Sequence, residues 1–406
     1  MEKNNHMLNP ATIRNILTLR YDPTLTSILP QKKWADFTGQ PVQPSVEFIE
    51  KSITDHIRNK IDDSYNGKIA IALSGGIDST LILTILQKKF ADLPIETISI
   101  KFADSVDETN RAAKISDFFG IKHHIVYLEN YLKELPKAIS IIKLPFWDLH
   151  WYYVVKRAQI ISKYLVSGDG GDELFGGYTF RYKNFLSLIN SNSKPLEKVK
   201  AYLQCHERDR VPDQENLFST KIGFSWNLIY EILLPYFDNP LNSLEQVFLA
   251  DYNGKLLYNF SIVNEAFHKY HNIISISPLL SEKLISYSFH LSSEHKYDLS
   301  TNIGKLLLRK ILQKYRVESF VTDEKLGFNV NTINLWKSFG QNLCNDYLLK
   351  SRIVEDGWIN KKWIEKYINI PELDIRYINK FLGLLAFEVW YRLFITKEMD
   401  STTTLN

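Results

Sequence analysis

The chain has 406 residues, 45% hydrophobic and 23% charged, with a net charge of +3. That length allows a sizeable core and exceeds one average domain, while the near balance of charge gives no electrostatic footprint for nucleic acid. Cys205 and Cys344 lack metal-ligand spacing and read as buried thiols in a reducing compartment. Residues 1–6 lead into no apolar run, and no stretch of roughly 18 apolar residues occurs. Neither a signal peptide nor a membrane contact is expected, and the expected location is cytoplasmic.

Residues 1–45 read as an N-terminal arm, punctuated by Pro10, Pro23, Pro30, Pro41 and Pro44. Val46, Ile49, Ile53, Ile57 and Ile61 then recur at helical spacing and predict an amphipathic helix. Asn66-Gly67 breaks to a strand over 69–73, followed by a helix over 79–90 and, after Pro94, a strand over 95–102. A helix over 108–119 stops at Gly120; a strand near 124–128, helices over 131–142 and 152–163, and a strand over 164–166 follow. Strands alternating with helices predict an α/β fold built on a doubly wound parallel sheet. Beyond about residue 180 helical periodicity dominates, giving an α-helical C-terminal half. The main domain is expected over 46–396, and the polar run Ser401-Thr402-Thr403-Thr404 predicts a disordered tail over 397–406.

Two glycine turns carry the chemistry. Ser74-Gly75-Gly76-Ile77-Asp78-Ser79 lies between a strand and a helix, where adjacent glycines let backbone amides approach phosphate oxygens. Asp78 adds a carboxylate on which a divalent cation can bridge to pyrophosphate. The spacing is neither that of the Walker loop nor that of the dinucleotide fingerprint. Ser167-Gly168-Asp169-Gly170-Gly171-Asp172-Glu173 ends the fourth strand, and its crowded carboxylates need a cation or a basic partner. EF-hand spacing is absent there. In a doubly wound sheet both turns fall at carboxyl ends of strands, so Asp78 and Asp172 can face one Mg²⁺–pyrophosphate group.

The first turn resembles the SGGxDS loop of ATP pyrophosphatases (the PP-loop superfamily), which leave AMP. With the second, running on to Phe175-Gly176-Gly177-Tyr178, the chain resembles the synthetase domain of the asparagine synthetase family. Further landmarks are Asp107-Glu108 with Ala112, Pro145-Phe146-Trp147-Asp148, Lys305-Leu306-Leu307-Leu308-Arg309, and Lys325-Leu326-Gly327-Phe328. The resemblance implies an adenine nucleotide alpha hydrolase-like fold and an AMP-forming ligase that uses ATP and Mg²⁺. It implies that Leu73 and Ile100 meet adenosine, that Ser74, Gly75, Gly76 and Ser79 hold pyrophosphate, and that Asp78 and Asp172 hold Mg²⁺. Ser167 and Gly168 would touch AMP, Asp169 would assist acyl-adenylate formation and amine deprotonation, and Lys325 would stabilise charge in the transition state. The substrates implied are a small-molecule carboxylate and ammonia or an amine, most simply aspartate and ammonia.

Three departures stand out. Residue 2 is glutamate where full-length family members expose a nucleophilic cysteine, and Tyr21-Asp22-Pro23-Thr24-Leu25 with Leu29-Pro30 resembles only a remnant of the glutaminase domain. Glutaminase activity in the same chain is not expected, and a separate glutaminase subunit is a candidate ammonia source. Aligning Pro278 with the family's ExRxPFLD segment puts Ile274, Ile276 and Ser281 at its charged positions, and Asp323 replaces the arginine two residues before Lys325. The alternatives are a specialised amide or lactam synthetase of β-lactam-forming or peptide-cyclising type, a tRNA-modifying PP-loop enzyme, and a non-catalytic relative. Asp169 stands where β-lactam-forming relatives carry tyrosine, and the balanced charge disfavours RNA. His123-His124 reads as strand histidines, and Trp147, Trp151, Tyr152 and Tyr153 as packed core or the wall of an acceptor pocket. Oligomeric state stays open.

Overall fold

The computed structural model describes residues 9–102, 109–321 and 331–406. β1 (Ile69–Ala72) reads Ile-Ala-Ile-Ala and is buried throughout, as befits an inner strand of a parallel sheet covered on both faces. β2 (Ile95–Phe102) and β3 (Lys122–Leu128) lie to one side of it, β4 (Tyr164–Val166) and β5 (Ile274–Ile276) to the other. The order is β3-β2-β1-β4-β5 and every pairing is parallel. Chain direction across the sheet reverses between β1 and β4, so the loops leaving these strands sit side by side in a crevice. Three-residue Ile-Ser-Ile carries too little alternation to be read as a strand, which is why β5 lies outside the expected set.

Alternation along β1 divides the core. Ile69, Ile71 and Leu73 join one apolar cluster, and Ala70 and Ala72 join another on the opposite face. α1 (Pro10–Leu19) is capped by Asn9 and contributes Ile13, Ile16 and Leu17 to the Ala70/Ala72 side, so the N-terminal segment is tied into the core. α2 (Val46–Lys60) packs Ile49, Ile53 and Ile57 on the other face beside α3 (Ile77–Lys89). α3 is buried on nearly every side, because the sheet, α2 and the helix Leu306–Lys314 surround it. α4 (Thr109–Phe118) ends before Gly120, whose φ is +65°. α5 (Leu135–Ile142) and α6 (His150–Ile161) cover the Ala70/Ala72 side with the 20-residue helix Ile375–Phe394. No helix of the described residues is long and apolar enough to cross a membrane.

The tail expected to be disordered is docked. Leu405 is fully buried, its N–H donates to Lys133 O at 3.0 Å, and its carbonyl accepts from Asn130 Nδ2 at 3.0 Å. The Ser/Thr run hid one apolar anchor at its end. Leu405→Ala is expected to lower stability by about 2–4 kcal/mol in urea unfolding, as for other fully buried leucines.

Candidate active site

Leu73 closes β1: its N–H donates to Ile98 O at 2.8 Å, and its carbonyl accepts from Ser99 Oγ. The chain then turns through Gly75, whose φ of +76° suits glycine, into Gly76, the N-cap of α3. Ser74 Oγ accepts from Gly76 N at 3.3 Å and lies 3.2 Å from Ser79 Oγ, so the turn ties itself to the helix. This leaves the first amides of α3 at the crevice, a favourable position for an anion.

The second turn leaves β4 beside it. A Cβ on Gly168 would stand 2.8 Å from the Asp78 backbone, and one on Gly171 would stand 2.3 Å from Asp78 Cγ. Glycine at both places lets the two turns touch. The short helix α7 (Gly171–Phe175) then presents Asp172. Lys305 Nζ bridges Asp78 Oδ2 at 2.6 Å and Asp172 Oδ1 at 2.7 Å. Burial alone would lower the Lys305 pKa, but Asp172 and Asp78 outweigh it and hold the ammonium above its ordinary value. Lys305 adopts φ +59°, and its N–H donates to Phe175 O at 3.0 Å.

Asp169 faces the same cleft, where its Oδ2 accepts from Ser167 Oγ at 2.9 Å and Asn264 Nδ2 at 3.2 Å. Burial raises its pKa, against those two hydrogen bonds. Glu173 Oε1 accepts from Tyr178 OH at 2.5 Å. Burial, then Glu173 and Asp172, push the Tyr178 pKa well up. Farther along, Asp148 pairs with Arg20, which leaves α1 and lies 5.5 Å from the centre of the Trp147 ring. Trp151 Nε1 donates to His268 Nε2 at 2.9 Å, and burial lowers the His268 pKa to about 4, so the ring is a neutral acceptor.

The cleft has a volume of about 250 Å³ and gathers Ser74, Asp78, Ser79, Ser167, Gly168, Asp169 and Asp172 from the expected set. Gly75 and Gly76 shape the turn beside it. Leu73 and Ile100 do not line it; their side chains are packed in the sheet. Lys325, with Asp107, Glu108 and Asp323, lies outside the described residues. Sequence reasoning gave no role to Lys305, although the motif containing it was visible, and the Arg20–Asp148 pair spans 128 residues without any local signal. His123 and His124 bond Thr97 and Glu96 within the sheet, and no group of three or more His, Cys, Asp or Glu side chains among the described residues is arranged for a metal. Asp78 and Asp172 nevertheless fit Mg²⁺: two hard oxygen donors beside a helix start suit an ion that would take its other ligands from an oxyanion and water.

A family model described as asparagine synthase matches residues 58–392. Asparagine synthetase [glutamine-hydrolyzing] 1 of Bacillus subtilis is 24% identical across 94% of this chain and 64% of its own length. A putative asparagine synthetase [glutamine-hydrolyzing] 2 of Methanocaldococcus jannaschii is 38% identical over 39% of this chain and 31% of its own. The chain thus spans less than two thirds of either relative's length. A solved U34-tRNA thiolase of Methanococcus maripaludis is 17% identical, covering 56% of this chain and 81% of that one with a TM-score of 0.26, too loose a superposition to bear on the site.

Lys305→Met would leave two carboxylates facing each other and is expected to cost about 3–5 kcal/mol in urea unfolding. Millimolar Mg²⁺ should raise the melting temperature of that variant more than that of the parent. His268 has a depressed pKa in the folded state, so its contribution is complete above the ordinary histidine pKa of about 6.5 and is lost as pH falls toward 4. The loss should be on the order of 3 kcal/mol, and His268→Gln should flatten stability against pH in that window.

Proposed function

The chain belongs to the asparagine synthase family, and on that premise we propose that it is an ATP-dependent ligase that forms amides through an acyl-adenylate. A carboxylate oxygen attacks the α-phosphorus of ATP, the bond to the bridging oxygen breaks, and pyrophosphate leaves. Ammonia or an amine then attacks the acyl carbon and AMP departs with the bonding electrons, the amine proton passing to a base. The supporting observation is the contact between the two glycine turns, which puts an anion-binding helix start, Asp78 and Asp172 in one crevice.

Ser74, Ser79 and the α3 amides would bind pyrophosphate; Ser167 and Gly168 would lie along AMP. Asp78 and Asp172 would hold Mg²⁺, which when bound would offset phosphate charge. Lys305 keeps these carboxylates together. Asp169, with its raised pKa, suits proton transfer from the amine. Leu73 and Ile100, in the sheet below the crevice, would contact adenosine through backbone groups, and Lys325 would offset developing negative charge. The amine source can be free ammonia or a separate glutaminase subunit.

Asparagine synthesis from aspartate is the simplest member of this class. One observation favours the specialised amide-forming alternative. Ile276 is fully buried in β5 and Ser281 caps the helix Glu282–His290, so these two of the three family charge positions serve packing and capping. Labelled pyrophosphate should exchange into ATP when a suitable carboxylate is present. Asp78→Asn should lower that exchange on the order of 100-fold or more; exchange at the parental rate would remove Asp78 from the metal-binding role.

A further inference from the structure

The wall of the cleft away from the glycine turns comes from the helical segments Tyr252–Phe260, π-helical and kinked at Gly254, and Ser261–Tyr270. Such widened turns commonly accompany functional sites. Leu256, Phe260 and Val263 face the cleft from these segments, and Trp151 faces it from α6. Polar contacts from Asn259 and Asn264, near the junction of the two segments, flank Phe260 and Val263. Asn264 Nδ2 donates to Asp169, and Asn259 Nδ2 donates to Arg20 O at 2.7 Å beside the Arg20–Asp148 pair. The Trp151 indole is held by His268 on the same helix. An apolar surface therefore runs between Asp169 and Asp148, with its orientation set at each end.

Asp148, Asp169 and Glu173 line the cleft, Asp148 paired with Arg20 and Glu173 bonded by Tyr178, and among the described residues no lysine or arginine lines it. Lys305 is engaged by the carboxylates of the phosphate side. A second carboxylate on the substrate would be desolvated against this hydrocarbon with no lysine or arginine among the described lining residues to pair it, an arrangement that discriminates against such an anion. Hydrocarbon or an aromatic ring would gain burial in the same space.

We propose that the carboxylate activated here belongs to a monocarboxylic acid with an apolar or aromatic body, with or without an α-ammonium group, and not to an amino dicarboxylate. The geometry carrying this assignment is the Trp151–Phe260–Val263 wall framed by Asp148 and Asp169. It rests on the ligase reading and narrows its substrate class.

The test is exchange of labelled pyrophosphate into ATP with phenylalanine, leucine, N-acetylphenylalanine, aspartate and glutamate as probes. At least one apolar acid should exceed both dicarboxylates in kcat/KM by about 10-fold or more. Phe260→Arg, at a half-buried position on the wall, should shift the ratio of apolar acid to aspartate by about 10-fold or more toward aspartate. Exchange with aspartate or glutamate at or above every apolar acid overturns the substrate assignment and leaves the ligase reading standing. An unchanged ratio in Phe260→Arg, with exchange retained, also overturns it. Silence toward every probe overturns both.

Discussion

Everything at the crevice depends on keeping Asp78 and Asp172 close. Two carboxylates repel, and the fold sets them across one buried ammonium, Lys305, at 2.6 and 2.7 Å. The close approach is a steric matter as much as an electrostatic one. Gly168 and Gly171 have no Cβ to strike Asp78, and a Cβ on Gly177 would stand 1.9 Å from Asp172 Oδ1. The glycines clear the space, the lysine offsets the repulsion between the carboxylates, and the sheet order brings the two turns from β1 and β4 to the same edge.

The sheet adds a second constraint. Because β1 is apolar on both faces, each face needs its own cover, and the two covers are assembled from different parts of the chain. α2, α3 and the helix Leu306–Lys314 form one side, and the last of these starts at the residue after Lys305. α1, α6 and the helix Ile375–Phe394 help form the other, which carries Arg20 and Trp151. Lys305 and the Arg20–Asp148 pair are thus attached to separate layers that meet at the crevice.

Much of this was legible in the sequence, for local reasons. Glycine pairs and a following apolar run mark a strand–turn–helix unit, so the four strands 69–73, 95–102, 124–128 and 164–166 could be anticipated closely, with β1 ending one residue earlier and β3 starting two residues earlier. Ser74, Asp78, Asp169 and Asp172 sit within those motifs and share one cleft. What could not be read is what depends on distant pairing. Lys305 meets Asp78 over 227 residues, and Arg20 meets Asp148 over 128. β5 takes its identity from pairing with β4 rather than from its own three residues. The docked tail belongs to the same class, because one buried leucine outweighs a polar composition.

The position of Arg20 has a consequence for how the cleft is built. It stands at the left-handed end of α1, outside the segment 58–392 matched by the family model, yet its guanidinium holds an acid that lines the cleft. Because Ile13, Ile16 and Leu17 anchor the same helix in the core, a packing change there is transmitted through Arg20 to Asp148 without touching either glycine turn.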